Sequence, residues 1–199
     1  VNGGGDLDST MQLRGGTDQT LIGNVSDRLL VSAAIQNATT ATYSASNVFK
    51  LANTATDVFT ISGSASKTVK IYRILFYLTA TTGSNATIKG IRRSALNTGG
   101  TSSLLTKVTF DTTNAAATAV VRSYTANPSA LGATAGDALT FGVYVSGGGT
   151  IGSNPFSLLI ENTTQPIVLR GLNELFAVNM NSVTFAGNSA RATVVWTEE

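Results

Sequence analysis

Cysteine and histidine are both missing from this chain of 199 residues, and each absence closes off chemistry. Without cysteine there is no disulfide, no zinc–thiolate site and no thiol nucleophile. Without histidine the commonest general base is gone, together with the usual serine–histidine pairing and most transition-metal sites. Neither a cofactor nor a metal is expected on these grounds. Charge is scarce as well: Asp, Glu, Lys and Arg make up 12% of the residues, about half the usual ~25%. No apolar run reaches the ~18 residues that a membrane helix needs, so no membrane partner is expected. The first residues, VNGGGDLDST, offer neither a basic nor an apolar stretch, so no secretory leader is expected there.

What replaces charge is Thr, Ser, Asn and Gly, on top of a hydrophobic fraction of 42%. Thr favours strands, whereas Asn and Gly favour turns, so the composition points to β-structure. From Asn47 onward, short apolar runs alternate with turn clusters every ~8–15 residues, the spacing of an antiparallel sandwich or barrel. The clearest strand is Asp137–Ser146, with Leu139, Phe141, Val143 and Val145 on one face and Thr140, Gly142, Tyr144 and Ser146 on the other. Ser189–Thr197 alternates in the same way, placing Ala190, Ala192, Val194 and Trp196 together. Further strands are expected at Val58–Ile61, Thr68–Thr79, Thr87–Arg92, Leu104–Phe110, Ala119–Tyr124, Phe156–Ile160, Ile167–Arg170, Leu175–Met180 and Val183–Phe185. Thr68–Thr79 is apolar on both faces from Ile74 to Leu78, so it is either a central strand or one covered by a neighbouring subunit. No segment shows sustained helical periodicity, and the Ala-rich Asn114–Ala119 reads as a loop.

Residues 1–45 differ from residues 46–199. They hold one expected strand, Arg28–Ala33, among Gly, Asp, Thr and Asn, and Asn37–Ala45 (NATTATYSA) reads as a linker. This part has too little apolar material to fold alone. It is expected to be an arm whose Leu21, Ile22, Leu29 and Val31 are buried against the body or another copy.

The glycine motifs do not survive inspection as phosphate sites. Gly147–Gly152 (GGGTIG) fits G-x-G-x-x-G, but Ser153-Asn154-Pro155 and another strand follow where a helix should hold the pyrophosphate. A hairpin loop is expected instead. Arg14–Val31 (RGGTDQTLIGNVSDRLLV) has no Gly-Lys-Ser/Thr and no helix. The paired acids Asp6/Asp8 and Glu198/Glu199 read as solvated ends rather than as a calcium loop. A hydrolase would need facing carboxylates from among Asp57, Asp111, Asp137, Glu161 and Glu174, which sequence alone cannot pair.

Charge is unevenly spread. Between Lys67 and Arg122 eight cations oppose only Asp111, a net of +7, while the residues from Ser123 onward carry −3. Lys89, Arg92 and Arg93 form a small basic cluster, too sparse and too poor in aromatics for nucleic acid, which is not expected as a partner. Complementary charge between subunits, or docking on an acidic protein surface, fits better.

Two stretches carry a family resemblance: Thr17–Val31 (TDQTLIGNVSDRLLV) and Gln165–Thr197 (QPIVLRGLNELFAVNMNSVTFAGNSARATVVWT). Both resemble virion structural proteins of tailed bacteriophages, whose β-sandwich or jelly-roll domains decorate capsids or form fibres. The resemblance implies a homotrimer that attaches to a capsid or other virion protein through an N-terminal arm. The combined expectation is an all-β, antiparallel β-sandwich of jelly-roll type with an extended N-terminal arm, acting without catalysis in the virion. Its expected contact residues are Leu21, Ile22, Arg28, Leu29, Val31, Lys89, Arg92 and Arg93. The alternative is a receptor-binding or fibre-tip module for host glycans, drawing on Tyr72, Tyr77, Tyr124, Tyr144 and Trp196.

Overall fold

The computed structural model of the chain describes residues 24–25, 28–29, 40–50, 54–78, 83–145, 156–159, 165–181 and 189–199. It divides into two compact units, Val1–Thr39 and Thr40–Glu199. In the first, β1 (Asn24–Val25) pairs antiparallel with β2 (Arg28–Leu29). The rest of the strand expected at Arg28–Ala33 lies outside the described residues, as does the one at Val183–Phe185.

The second unit contains only strands and loops among its described residues. In chain order the strands are β3 (Thr42–Lys50), β4 (Asp57–Ser62), β5 (Val69–Leu78), β6 (Ser84–Arg93), β7 (Thr101–Leu104), β8 (Val108–Thr109), β9 (Val120–Ala126), β10 (Thr134–Val145), β11 (Phe156–Leu159), β12 (Ile167–Leu169), β13 (Leu175–Asn179) and β14 (Ser189–Glu198). They form two antiparallel sheets. One runs β11-β5-β14-β3-β8, with β12 also on β5; the other runs β10-β6-β13-β4-β9-β7.

The pairing is that of a jelly roll. β3 pairs with β14, β4 with β13, β5 with β11 and β12, and β6 with β10. This is a long hairpin, first strand against last, rolled so that its successive rungs alternate between two sheets. The excursion β7-β8-β9 is inserted between β6 and β10 and widens both sheets on one side.

Two readings from sequence change here. The linker at Asn37–Ala45 gives way at Thr42 to β3, the outermost rung of the roll. Its inward residues, Tyr43 and Ala45, are buried, yet the hydroxyl residues Thr42, Ser44 and Ser46 fill the alternate positions, so it carries little of the usual strand signal. The hairpin expected around Gly147–Gly152 is not one either, because β10 and β11 belong to different sheets. The connection crosses the sandwich, and periodicity within a strand does not say which sheet comes next. The glycine residues themselves lie outside the described residues.

The core fills the space between the sheets. Trp196, Val194 and Ala192 of β14 meet Tyr43 and Ala45 of β3, Ile71, Ile74 and Phe76 of β5, and Phe59, Ile61, Phe176 and Val178 of the opposite sheet. Within the expected Thr68–Thr79, β5 is central in its sheet, bonded on both sides. Strands β4 and β13 are buried at every position, so the middle of their sheet is covered on both faces.

In the middle of one sheet, side chains from the strands flanking β6 crowd its backbone closely enough to require glycine. A Cβ on Gly90 of β6 would stand 2.5 Å from the ring of Phe176 and 3.1 Å from Leu139. Gly90→Val is therefore expected to destabilise the unit by roughly 1–3 kcal/mol through overpacking. A lowered urea midpoint would register it, and an unchanged one would refute the close approach. The apolar hollow beside Gly90, lined by Ile74, Phe76, Ile88 and Phe141, encloses only ≈ 10 Å³. That is barely room for a water, so it is a packing defect and not a ligand pocket.

Candidate functional site

The basic cluster read from sequence dissolves in three dimensions. β6 carries Lys89, Arg92 and Arg93, and each meets a carboxylate of its own chain. Lys89 Nζ donates to Asp137 at 2.7 Å, across the β6–β10 ladder. Arg92 donates to Glu174 at 3.2 Å and to the Val168 carbonyl at 3.1 Å. These two pairs are partly exposed and contribute little to stability. Two cations of the +7 segment are thus paired with acids of the −3 segment, because the roll brings β6 beside β10 and β13.

Arg93 is a different case, and it does not belong to a surface at all. Its side chain is 3% exposed and Asp57's is 0% exposed. The guanidinium grips the Asp57 carboxylate with both oxygens engaged, Nε to Oδ2 at 2.6 Å and the second contact to Oδ1 at 2.8 Å. Asn179 and Asn97 donate to the same carboxylate at 2.7 and 2.8 Å. The remaining guanidinium nitrogen donates to the Gly132 carbonyl and to Thr134 Oγ1. Both charges are therefore compensated by geometry as well as by each other.

Glu198 corrects a second expectation. Read as a solvated end, it is fully buried, with its side chain 0% exposed. It lies on the inward face of β14, two residues beyond Trp196. Its carboxylate accepts hydrogen bonds from the Thr118 amide and hydroxyl, the Ala119 amide and the Trp196 indole. Burial pushes this carboxyl up, but the hydrogen bonds to its charged form outweigh that and hold it below the usual value. Tyr43 stacks at 5.8 Å from Trp196 and donates to the Ala115 carbonyl. Burial first and the Glu198 charge second push the Tyr43 hydroxyl up. Together these side chains clamp the loop before β9 onto β3 and β14.

With those cations and acids spent internally, the outer face of the β3–β14–β5 sheet is what remains. Cross-strand register sets Val108, Ser44, Val195 and Arg73 in one row, and Ser46, Thr193 and Leu75 in the next. These residues point away from the core residues Tyr43, Ala45, Val194 and Trp196 that alternate with them. Ser46 and Thr193 hydroxyls bond across the ladder at 2.8 Å. Arg73 and Arg191 are exposed and have no ion-pair partner among the described residues. At the β8 rim of the same sheet, Val108 is 55% and Phe110 63% exposed. Leu104, also exposed, pairs with Arg122 and belongs to the other sheet.

Of the residues expected to make assembly contacts, Arg28 and Leu29 fall in β2, and Leu21, Ile22 and Val31 lie outside the described residues. Arg73, Arg191 and Phe110 were not among them. Their signal was weak: isolated arginines on otherwise polar strand faces, and a Val-Thr-Phe alternation too short to define a surface.

No group of three or more acidic, Cys or His side chains converges among the described residues. No helix there is long and apolar enough to cross a membrane. Comparison with protein-family models, with curated protein sequences and with solved structures returns no match to this chain.

Proposed function

We propose that the chain is a non-enzymatic structural protein of a tailed-bacteriophage virion, a capsid decoration or cement protein that assembles as a homotrimer. The jelly-roll topology carries this reading, since such double-sheet rolls recur in capsid proteins. That is an analogy of fold, to which the resemblance of Thr17–Val31 and Gln165–Thr197 adds. The division of the chain at Thr39/Thr40 supports an appendage that works apart from the roll. In this reading the arm anchors on the shell while strand faces meet neighbouring copies.

Deleting residues 1–35 is expected to abolish attachment to particles while the Thr40–Glu199 unit keeps its β-type circular dichroism and cooperative melting. Undiminished co-sedimentation of the truncated chain with particles would remove the anchoring role.

A second reading, recognition of host glycans, draws on one observation. Tyr144, on the edge strand β10, is 64% exposed and could stack on a sugar ring. Trp196 and Tyr124 are buried and are lost to that role. Glycan-array binding abolished by Tyr144→Ala would favour this reading over the first.

A further inference from the structure

Two surfaces on opposite sides of one requirement remain unspent. The first is the rim after β8. Phe110 is bonded through its amide to the Thr42 carbonyl, which continues the ladder and holds its ring outward, 63% exposed. Asp111 follows directly. Its Oδ1 accepts from the Thr113 amide and hydroxyl, at 2.8 and 2.7 Å, whereas Oδ2 has no partner among the described residues. These bonds hold the carboxyl below its usual range, so it is charged at neutral pH. The rim thus offers an aromatic ring beside a fixed anion.

The second surface is the outer face of β5 and β14. Val195 is paired across the ladder with Arg73, and Leu75 lies two residues further along the same strand. Both apolar side chains are half-buried within a single copy, and Arg73 beside them is exposed with no ion-pair partner among the described residues. Arg191 adds a second cation on the same face, also without an ion-pair partner among the described residues. The flanking positions are hydroxyls, Ser44, Ser46 and Thr193, which carry no charge to repel a neighbour. This face therefore offers an apolar seat beside an exposed cation.

We propose that a second copy of this chain occupies that seat, with its Phe110 against Leu75 and Val195 and its Asp111 paired with Arg73. Arg73 is the partner rather than Arg191, because the ring and the carboxylate come from consecutive residues and must land side by side. Arg73 adjoins the apolar pair directly, whereas Thr193 separates Arg191 from Val195. The β8 rim and the seat of Leu75, Val195 and Arg73 are separate patches of the same sheet, with β3 between them. A contact that sets the rim of one copy on the seat of the next closes into a ring when its rotation allows. The inference rests on the self-assembly in the proposed function and says which side chains would carry it.

The test is sedimentation velocity on the full chain over micromolar concentrations, with melting curves as a fold control. The wild type is expected to form a discrete oligomer. Phe110→Ser, Asp111→Lys and Arg73→Glu are each expected to weaken association at least tenfold with melting unchanged, since all three side chains are exposed. The double variant Asp111→Lys/Arg73→Glu is expected to associate again. An oligomer indifferent to Phe110→Ser and Arg73→Glu overturns this interface and leaves self-assembly standing. A charge swap that fails to restore association overturns the Asp111–Arg73 pairing. A wild type that stays monomeric overturns both the interface and the homotrimer.

Discussion

Arg93→Leu should lower the stability of the jelly roll by about 3–5 kcal/mol, the cost of leaving a buried carboxylate without its counter-charge. For a unit of this size that corresponds to a fall in melting temperature of roughly 6–20 °C. The leucine would fill much of the volume, so the loss is electrostatic and not a cavity effect. Asp57 would keep its bonds from Asn97 and Asn179, but two neutral amides do not offset a full charge in a site closed to water. The double variant Asp57→Asn/Arg93→Leu separates this account from general core damage. With no charge left to compensate, it should be more stable than Arg93→Leu alone. A double variant less stable than the single one would mean that packing, and not the ion pair, holds this corner.

Glu198→Gln should cost about 2–3 kcal/mol at neutral pH, and its effect should fade in acid. The glutamine amide would turn a donor toward the Thr118 and Ala119 amides or leave one of them unbonded. Folding lowers the carboxyl from its ordinary value of 4.5. The contribution is therefore complete above that value and is lost as the pH falls through the lower value of the folded state. Melting temperatures of wild type and Glu198→Gln, followed from pH 7 down to about pH 3, should converge on the acid side. Asp111, which also titrates low, is common to both proteins and leaves their difference untouched. Parallel curves would show that the charge of Glu198 contributes nothing and that only its shape matters.

Much of the fold could be read from alternation. β10 and β14 stood out because strong apolar residues recur at every second position, and β5 because its apolar run fills a central place. What alternation cannot supply is the partner of a strand. Arg93 looked like one of three neighbouring cations because Asp57 is 36 positions away and meets it only once β4, β13 and β6 are in register. β3 escaped notice because a rung covered by Trp196 can be built from Tyr43 and Ala45 with hydroxyls between them. Glu198 was different, for its signal was present. It shares parity with Ala192, Val194 and Trp196, so a strict reading of β14 would have turned it inward. Its nearness to the chain end outweighed that pattern, and wrongly. The outer face of β5 and β14 was illegible for a further reason. Its importance comes from which charges are left over after every internal pair is made.

The pairing of β3 with β14 also governs when the roll can exist during synthesis. Every rung of the rolled hairpin joins an early strand to a late one, and Ser46 bonds to Thr193 across 147 positions. A nascent chain that has not yet delivered β14 leaves Tyr43, Ala45, Ile71 and Ile74 without the tryptophan and valines that cover them. Closure therefore waits for the last strand, and long-range pairings of this kind form slowly. The face built from Leu75, Val195 and Arg73 appears at the same moment, because β14 supplies half of it. An unfinished chain thus lacks this seat, and the self-association proposed above would be confined to copies whose translation has already passed β14.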